Sequence, residues 1–344
     1  MRDRYGREVS DLRISLTQRC NLKCVFCHME GQPPSREELS VPEIARIVRA
    51  ATEVGIDRVK LTGGEPTLRS DLEEIVRSIR PMLAEVSMTT NGLRLERLAA
   101  PLRAAGLDRV NVSLPSLDPA TYQRLTGVDG AARAVRGIRA AARAGLAPIK
   151  LNVVALHGAT DGPETVDRLL AFAREVGAWL QIIEFEPVGG RVDPRVFRAL
   201  HSELGRLTEE AATQAFRVDR NRLHDRPRYT FPAPGGEATV EVVQPVENPD
   251  FCMACHRLRL TSNGLLKGCL MTNDGLIDLK PLLAVAGDDG AALRRAFADA
   301  ISRRRPFYVG PRTPAPAAAG SDADGDADPL PSPLRLLAGP DATV

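Results

Sequence analysis

The sequence predicts an α/β fold, an open or partial barrel of six βα units followed by a C-terminal extension. Three observations lead there. Six short β-rich runs recur at residues 12–17, 58–62, 85–90, 109–114, 149–155 and 180–185. Segments of helical periodicity separate them, and several of these stop at a glycine. Strands that alternate with helices pair in parallel. Six units are too few for a closed eight-fold barrel.

Each connecting element has its own reason. Segment 41–54 carries Ile44, Ile47 and Val48 on one face, as an amphipathic helix does. Segments 71–82, 95–105, 131–144 and 164–176 repeat that pattern. Gly55, Gly106, Gly145 and Gly177 stand where helices are expected to end. The alternation stops near Gly189 and Gly190. Residues 191–249 read as a helix and then short strands. From Pro311 the composition turns to Ala, Pro, Asp and Gly, which predicts a disordered tail over 311–344. The domain reading is therefore 1–190, 191–310 and 311–344.

Composition excludes several functions. Lys plus Arg total 46 against 44 Asp plus Glu, so the formal charge is +2 and no general basic face is expected. Aromatic residues are only 4%, too few for platforms that stack single-stranded nucleic acid. No nucleic-acid partner is expected. No apolar run approaches the roughly 20 residues of a membrane span, and the first residues carry no apolar signal region. A cytoplasmic protein is the expectation.

The six cysteines fall in two triads, Cys20, Cys24, Cys27 and Cys252, Cys255, Cys269. Clustered thiolates in a reducing compartment bind metal or do redox chemistry more often than they pair. The first triad, C-x3-C-x2-C, follows the first strand directly. Three thiolates on one short loop can hold three irons of a [4Fe–4S] cube and leave the fourth open, whereas electron-transfer ferredoxins use four cysteines per cluster. A zinc site completed by His28 is the competing reading. The second triad, C-x2-C-x13-C, also admits zinc, with His256 as fourth ligand. Gly63-Gly64-Glu65-Pro66 follows the second strand. Paired glycines let backbone approach a ligand closely, and Glu65 can accept hydrogen bonds from an ammonium.

The first triad and the Gly-Gly-Glu-Pro run resemble the radical SAM superfamily. That resemblance implies a partial (β/α)6 TIM-like barrel, and S-adenosylmethionine bound at the open iron and cleaved to a 5′-deoxyadenosyl radical. It also implies cofactor contacts from Gly63, Gly64, Glu65, Pro66, Ser113 and Phe26, the last of which can equally be simple packing. The stretch Phe251-Cys252-Met253-Ala254-Cys255-His256-Arg257-Leu258-Arg259 with Gly268-Cys269-Leu270 is similar to the GTP 3′,8-cyclase family of molybdenum cofactor biosynthesis. The opening run Asp11–Thr17 matches as well, and the resemblance covers roughly residues 3–310.

This second resemblance implies a C-terminal extension with a second [4Fe–4S] cluster on Cys252, Cys255 and Cys269. It implies nucleotide contacts, GTP favoured, from Arg13, Lys60, Thr89, Lys150, Arg257 and Arg259. Two of these have reasons of their own. Arg257 and Arg259 are two apart, so on an extended segment they point to one side. Lys150 on a buried strand needs an anionic partner or must face the barrel lumen. A reductant protein such as flavodoxin or ferredoxin and a homodimer are also implied.

The sequence departs from the family pattern at Lys60 and Gln181, where Arg is usual, at Pro115 for Asp, and at Glu186 for a Met near S-adenosylmethionine. It also lacks a terminal Gly-Gly. These departures cluster at substrate and tail positions. The alternative is therefore a related enzyme that forms a C–C bond on another nucleotide in nucleoside natural-product biosynthesis.

Overall fold

The computed structural model describes residues 1–32, 34–186, 188, 204–221, 224–233, 236–246, 248–284 and 290–307. The six expected strands form as β1 (Asp11–Ser15), β2 (Arg58–Thr62), β3 (Glu85–Thr90), β4 (Arg109–Ser113), β5 (Ile149–Val154) and β6 (Ala178–Ile183). They pair in parallel in chain order. Between them lie α1 (Val41–Glu53), α2 (Leu72–Ile79), α3 (Leu95–Ala105), α4 (Pro119–Thr126), α5 (Ala131–Arg143) and α6 (Pro163–Glu175). Helix α4 was not expected, because eight residues are too few for a clear periodic pattern.

Local chemistry explains the boundaries. Ser40 caps α1 in a reciprocal box with Glu43, whose Oε2 accepts from the Ser40 backbone N–H at 2.7 Å. Ile44, Ile47 and Val48 of that helix are buried. Gly106 ends α3 at a φ of 108°, a conformation that L side chains avoid. Along each strand alternate residues part company. Leu12 and Ile14 are fully buried in the apolar core, while Arg13 between them faces a cavity.

The later part of the chain gives α7 (Gly205–Gln214), β7 (Arg217–Asn221), β8 (Arg226–Ala233), β9 (Gly236–Val243) and α8 (Pro249–Met253). Then come β10 (Arg257–Leu260), β11 (Leu265–Lys267), β12 (Ile277–Asp278), α9 (Lys280–Leu283) and α10 (Ala291–Ser302). This region continues the barrel sheet. The strand order is β12-β11-β10-β1-β2-β3-β4-β5-β6-β9-β8-β7. Strand β10 pairs in parallel with β1, and β9 with β6. The six-stranded sheet would otherwise show a row of unpaired N–H and C=O groups at each edge. The extension covers both.

Inward-facing residues of β1 to β6 and β10 line one cavity of about 840 Å³, so the sheet curls into a partial barrel. Among the described residues no helix is long and apolar enough to cross a membrane. Gly189, Gly190 and the expected tail over 311–344 lie outside the described residues.

Candidate active site

The first cysteine loop leaves β1 and enters the cavity. Cys20, Cys24 and Cys27 form no disulfide, and all three line the cavity wall. The loop is fixed from behind, because Lys23 N–H donates to Thr126 O at 2.8 Å and Val25 N–H to Leu125 O at 3.0 Å. Helix α4 thus has a clear task, since its end holds the loop in place. The Leu22 backbone N–H donates to Cys20 Sγ at 3.4 Å. Burial pushes the Cys24 thiol up to about 12, and the neighbouring Cys27 and Cys20 add to the shift. Three thiolates held this close need a compensating positive charge. The donor set fits an iron–sulfur cube, whose ligands are thiolates. Among the described residues no three His, Cys, Asp or Glu side chains converge on a single metal ion. His28 Nδ1 is already engaged, accepting from the Glu30 N–H at 3.0 Å.

The Gly63–Pro66 loop lies against this one. Gly64 N–H donates to Thr17 O at 2.7 Å, and Glu65 N–H to Arg19 O at 2.8 Å. A Cβ on Gly63 would meet Thr17 O at 2.3 Å, and one on Gly64 would meet Arg19 O at 2.3 Å. The glycines therefore permit the close approach of two backbone segments. Glu65 differs from expectation. Its buried carboxylate accepts from Thr67 N–H (3.1 Å), Thr90 Oγ1 (2.7 Å) and Asn91 N–H (2.7 Å), as well as from Thr67 Oγ1. Gly63 and Gly64 line the cavity, but Glu65 and Pro66 do not. The Thr67 bonds are local, while Thr90 and Asn91 lie at the end of β3, so the carboxylate ties the Gly63–Pro66 loop to that strand. Phe26 touches the cavity and also packs against Leu125, Leu156 and Phe185. Ser113 is on the cavity wall.

The cations form a row. Arg259, Arg13 and Lys60 are register partners across β10, β1 and β2. Buried Glu30, outside any motif singled out in the sequence, stands between two of them. Its Oε2 is 2.7 Å from Arg259 Nη1, and its Oε1 is 3.6 Å from Arg13 Nε. Burial alone would raise the Glu30 carboxyl, but Arg13 and Arg259 pull it down to about 2. Burial lowers Arg13 and Arg257 to about 10 each. Lys60 donates to Asn111 Oδ1 at 2.9 Å, and burial together with Arg109 and Arg257 holds it well below the usual lysine range. Thr89 lines the cavity with a buried Oγ1 that has no partner.

Lys150 both finds an anion and faces the lumen. Its Nζ lies 2.6 Å from Oε2 of Glu241, a fully buried carboxylate on β9. Arg226 Nη2 reaches Glu241 Oε1 at 2.9 Å, and Gln181 and Asn221 donate to the same carboxylate. Burial lowers Lys150 to about 8, less than it would without Glu241. Glu186 lines the cavity beside this cationic wall. Its Oε2 is buried without a partner, and burial raises the carboxyl to about 7 against the pull of Arg259 and Arg13. Besides these arginines, Glu30 and Glu184 act on it and push the carboxyl further up.

The second triad opens into the same cavity. Cys252, Cys255 and Cys269 form no disulfide and are half-buried, and all line it. Asn248 caps the short α8 by accepting from Phe251 N–H at 3.0 Å. His256 Nδ1 is within 2.7 Å of the Glu8 carbonyl. Nearby, the buried imidazole of His224 stacks on Phe251 with centroids 4.1 Å apart, and its Nδ1 has no partner. Sequence reasoning missed Glu30, Glu241, Arg226 and His224. The spacing of the chain gives no signal for three of them. For Glu30 the only trace is its place before Gly31 in a left-handed turn, with φ of 46° at Met29 and 56° at Glu30.

The sequence matches the radical SAM superfamily over residues 14–172 and Molybdenum Cofactor Synthesis C over residues 178–309. A protein of Thermococcus kodakarensis named "Probable GTP 3',8-cyclase" is 45% identical over 307 residues, 89% of this chain and 99% of its own length. One of the same name from Pyrococcus abyssi is 45% identical over 308 residues, 89% of this chain and 99% of its own length. A third, from Archaeoglobus fulgidus, is 38% identical over 315 residues, 90% of this chain and 100% of its own length. Streptococcus suis SuiB bound to S-adenosylmethionine shares the fold, with a TM-score of 0.60 at 19% identity, over 84% of this chain and 68% of its own.

Proposed function

Since the chain belongs to the radical SAM superfamily and, within it, to the GTP 3′,8-cyclase family, we propose that it converts GTP to (8S)-3′,8-cyclo-7,8-dihydroguanosine 5′-triphosphate in molybdenum cofactor biosynthesis. It is a radical SAM enzyme, and its superfamily uses S-adenosylmethionine and a [4Fe–4S] cluster. When bound, that pair supplies an organic radical able to take hydrogen from an unactivated carbon. Everything else falls to the chain's own residues.

Cys20, Cys24 and Cys27 hold that cluster. The backbone of Gly63 and Gly64, with Ser113, Phe26 and Glu186, lines the room for S-adenosylmethionine, while Glu65 and Pro66 brace the loop. Arg13, Lys60, Thr89, Lys150, Arg257 and Arg259 bind the nucleotide, its triphosphate above all, because guanidinium forks match phosphate oxygens. Glu30 keeps Arg13 and Arg259 charged and aimed before the nucleotide arrives, and Glu241 does the same for Lys150. Cys252, Cys255 and Cys269 hold a second [4Fe–4S] cluster that anchors the base. On this reading residues 1–190 generate the radical and 191–310 select the substrate, with a tail at 311–344. Electron delivery by flavodoxin or ferredoxin, assembly as a homodimer and a cytoplasmic setting follow from the family reading alone.

One observation carries the proposal. Two cysteine triads and a row of cations face a single cavity of about 840 Å³. The test is anaerobic reconstitution, reduction, and incubation with S-adenosylmethionine and GTP deuterated at the ribose 3′ position. Deuterium in 5′-deoxyadenosine, dependent on GTP, is expected. Cleavage of S-adenosylmethionine without transfer would reject GTP and point to another nucleotide.

A further inference from the structure

Resting on the reading of Cys252, Cys255 and Cys269 as a second cluster site, we propose that Asp3, Arg7 and Arg304 form a clamp that positions it. The three side chains come from the two ends of the described residues, yet meet at one point. Asp3 Oδ2 lies 2.7 Å from Arg7 Nε and 2.9 Å from Arg304 Nη1. All three residues are buried, at 6%, 6% and 4% exposure.

The remaining guanidinium donors have specific targets. Arg7 Nη1 donates to the carbonyl of Cys252 at 2.9 Å. Arg304 Nη2 donates to the carbonyl of Cys255 at 2.6 Å. Each arginine thus holds one cysteine of the C-x2-C pair by its own peptide group. The pair sits on and just after α8, a five-residue helix, which is too short to hold a geometry unaided. The third cysteine has a parallel support. Buried Lys267, two residues before Cys269, donates from Nζ to Asn273 Oδ1 at 2.7 Å and to the Leu270 carbonyl at 3.4 Å.

Charge completes the argument. One carboxylate faces two guanidinium groups, so the clamp carries a net buried positive charge beside three thiols. The planar fork of Arg304 serves Asp3 and the Cys255 carbonyl at once, which a single ammonium on a flexible stem does poorly. Arg7 also donates to the Arg305 and Pro306 carbonyls, at 2.5 and 2.8 Å. The chain leaving α10 is therefore tied to the same point.

The test compares wild type, Arg304→Gln, Arg304→Lys and the exposed control Arg303→Gln after anaerobic reconstitution. Wild type and the control should hold about eight iron per chain, as two four-iron cubes require. Arg304→Gln should hold about four, with the change that S-adenosylmethionine induces in the cluster spectrum kept and the change induced by GTP lost. Arg304→Lys, which keeps the charge and favours folding, should lie between the two. Full iron and unchanged spectra in both Arg304 variants would overturn the clamp. So would equal loss of the S-adenosylmethionine response, which would mark a general structural role. About four iron in the wild type would remove the second cluster and the clamp with it.

Discussion

Glu241 shows how a single buried carboxylate sets the chemistry of several others. Burial alone would raise its carboxyl, but Arg226 and Lys150 hold it at about 2. A carboxyl at about 2 in the fold and 4.5 in the open chain stabilises the fold fully above pH 4.5. That contribution is lost as pH falls from 4.5 toward 2. Glu241→Gln should remove part of this acid limb and leave two cations without a counter-charge. Loss of one partner of a buried ion pair costs about 3–5 kcal/mol, and urea unfolding at pH 7 should read a loss of that size. A loss under about 1 kcal/mol would mean the network is solvated. Lys150 gives a second prediction. Its ammonium is lowered to about 8, so it loses its charge as pH rises through that value. The kcat/KM for the nucleotide, which reports the free enzyme, should fall above pH 8 in wild type. In Lys150→Met it should be low throughout and lack that limb. An unchanged limb would assign it to another group. The lysine was legible in the sequence because an ammonium on an apolar strand demands an explanation. Its partner was not, because Glu241 lies 91 residues away on a strand whose pairing no local pattern encodes.

At the scale of elements, the six barrel strands were legible to within one or two residues, since alternation and glycine stops are local signals. Strand β10 was not. Arg257 and Arg259 could be placed on one face of an extended segment, but their position beside Arg13 depends on parallel pairing with β1. That pairing answers the exposed edge of β1, a property of the assembled sheet. The Gly63–Pro66 loop was recognised, but the backbone approach its glycines allow within the fold was not. The contact they permit is with Thr17 and Arg19, the residues that lead into Cys20. Gly64→Ala should therefore displace the first cysteine loop. Overpacking of this kind costs about 1–3 kcal/mol. Calorimetric titration should show S-adenosylmethionine affinity falling at least roughly tenfold, which corresponds to the lower part of that range. Gly162→Ala, where nothing lies within 4 Å of the added carbon, is the matched control. Equal behaviour of the two variants would dissociate the glycine from the cluster loop.

For the molecule as a whole, the two functional parts share one sheet. Strand β1 of the first part lies between β10 and β2, and β6 lies between β5 and β9. Removal of residues beyond 190 would strip both neighbours from the barrel edges and expose two rows of unpaired backbone groups. The arrangement therefore predicts one cooperative unfolding unit. The single tryptophan makes the test direct. Trp179 on β6 has Lys150 Nζ 5.1 Å from its ring centroid and the Arg228 guanidinium of β8 at 5.2 Å. Its fluorescence reports the seam, while far-UV circular dichroism reports all helices and strands. In urea the two signals should give the same midpoint, as a two-state unit requires. If the later part opened first, the tryptophan would lose Arg228 and respond before the helices of the barrel. Midpoints separated by more than about 0.5 M would therefore mark two independent units. A shared transition has a functional consequence, since the first cysteine loop follows β1 and Cys255 precedes β10, so the two triads stay on one cavity only while these neighbouring strands remain paired.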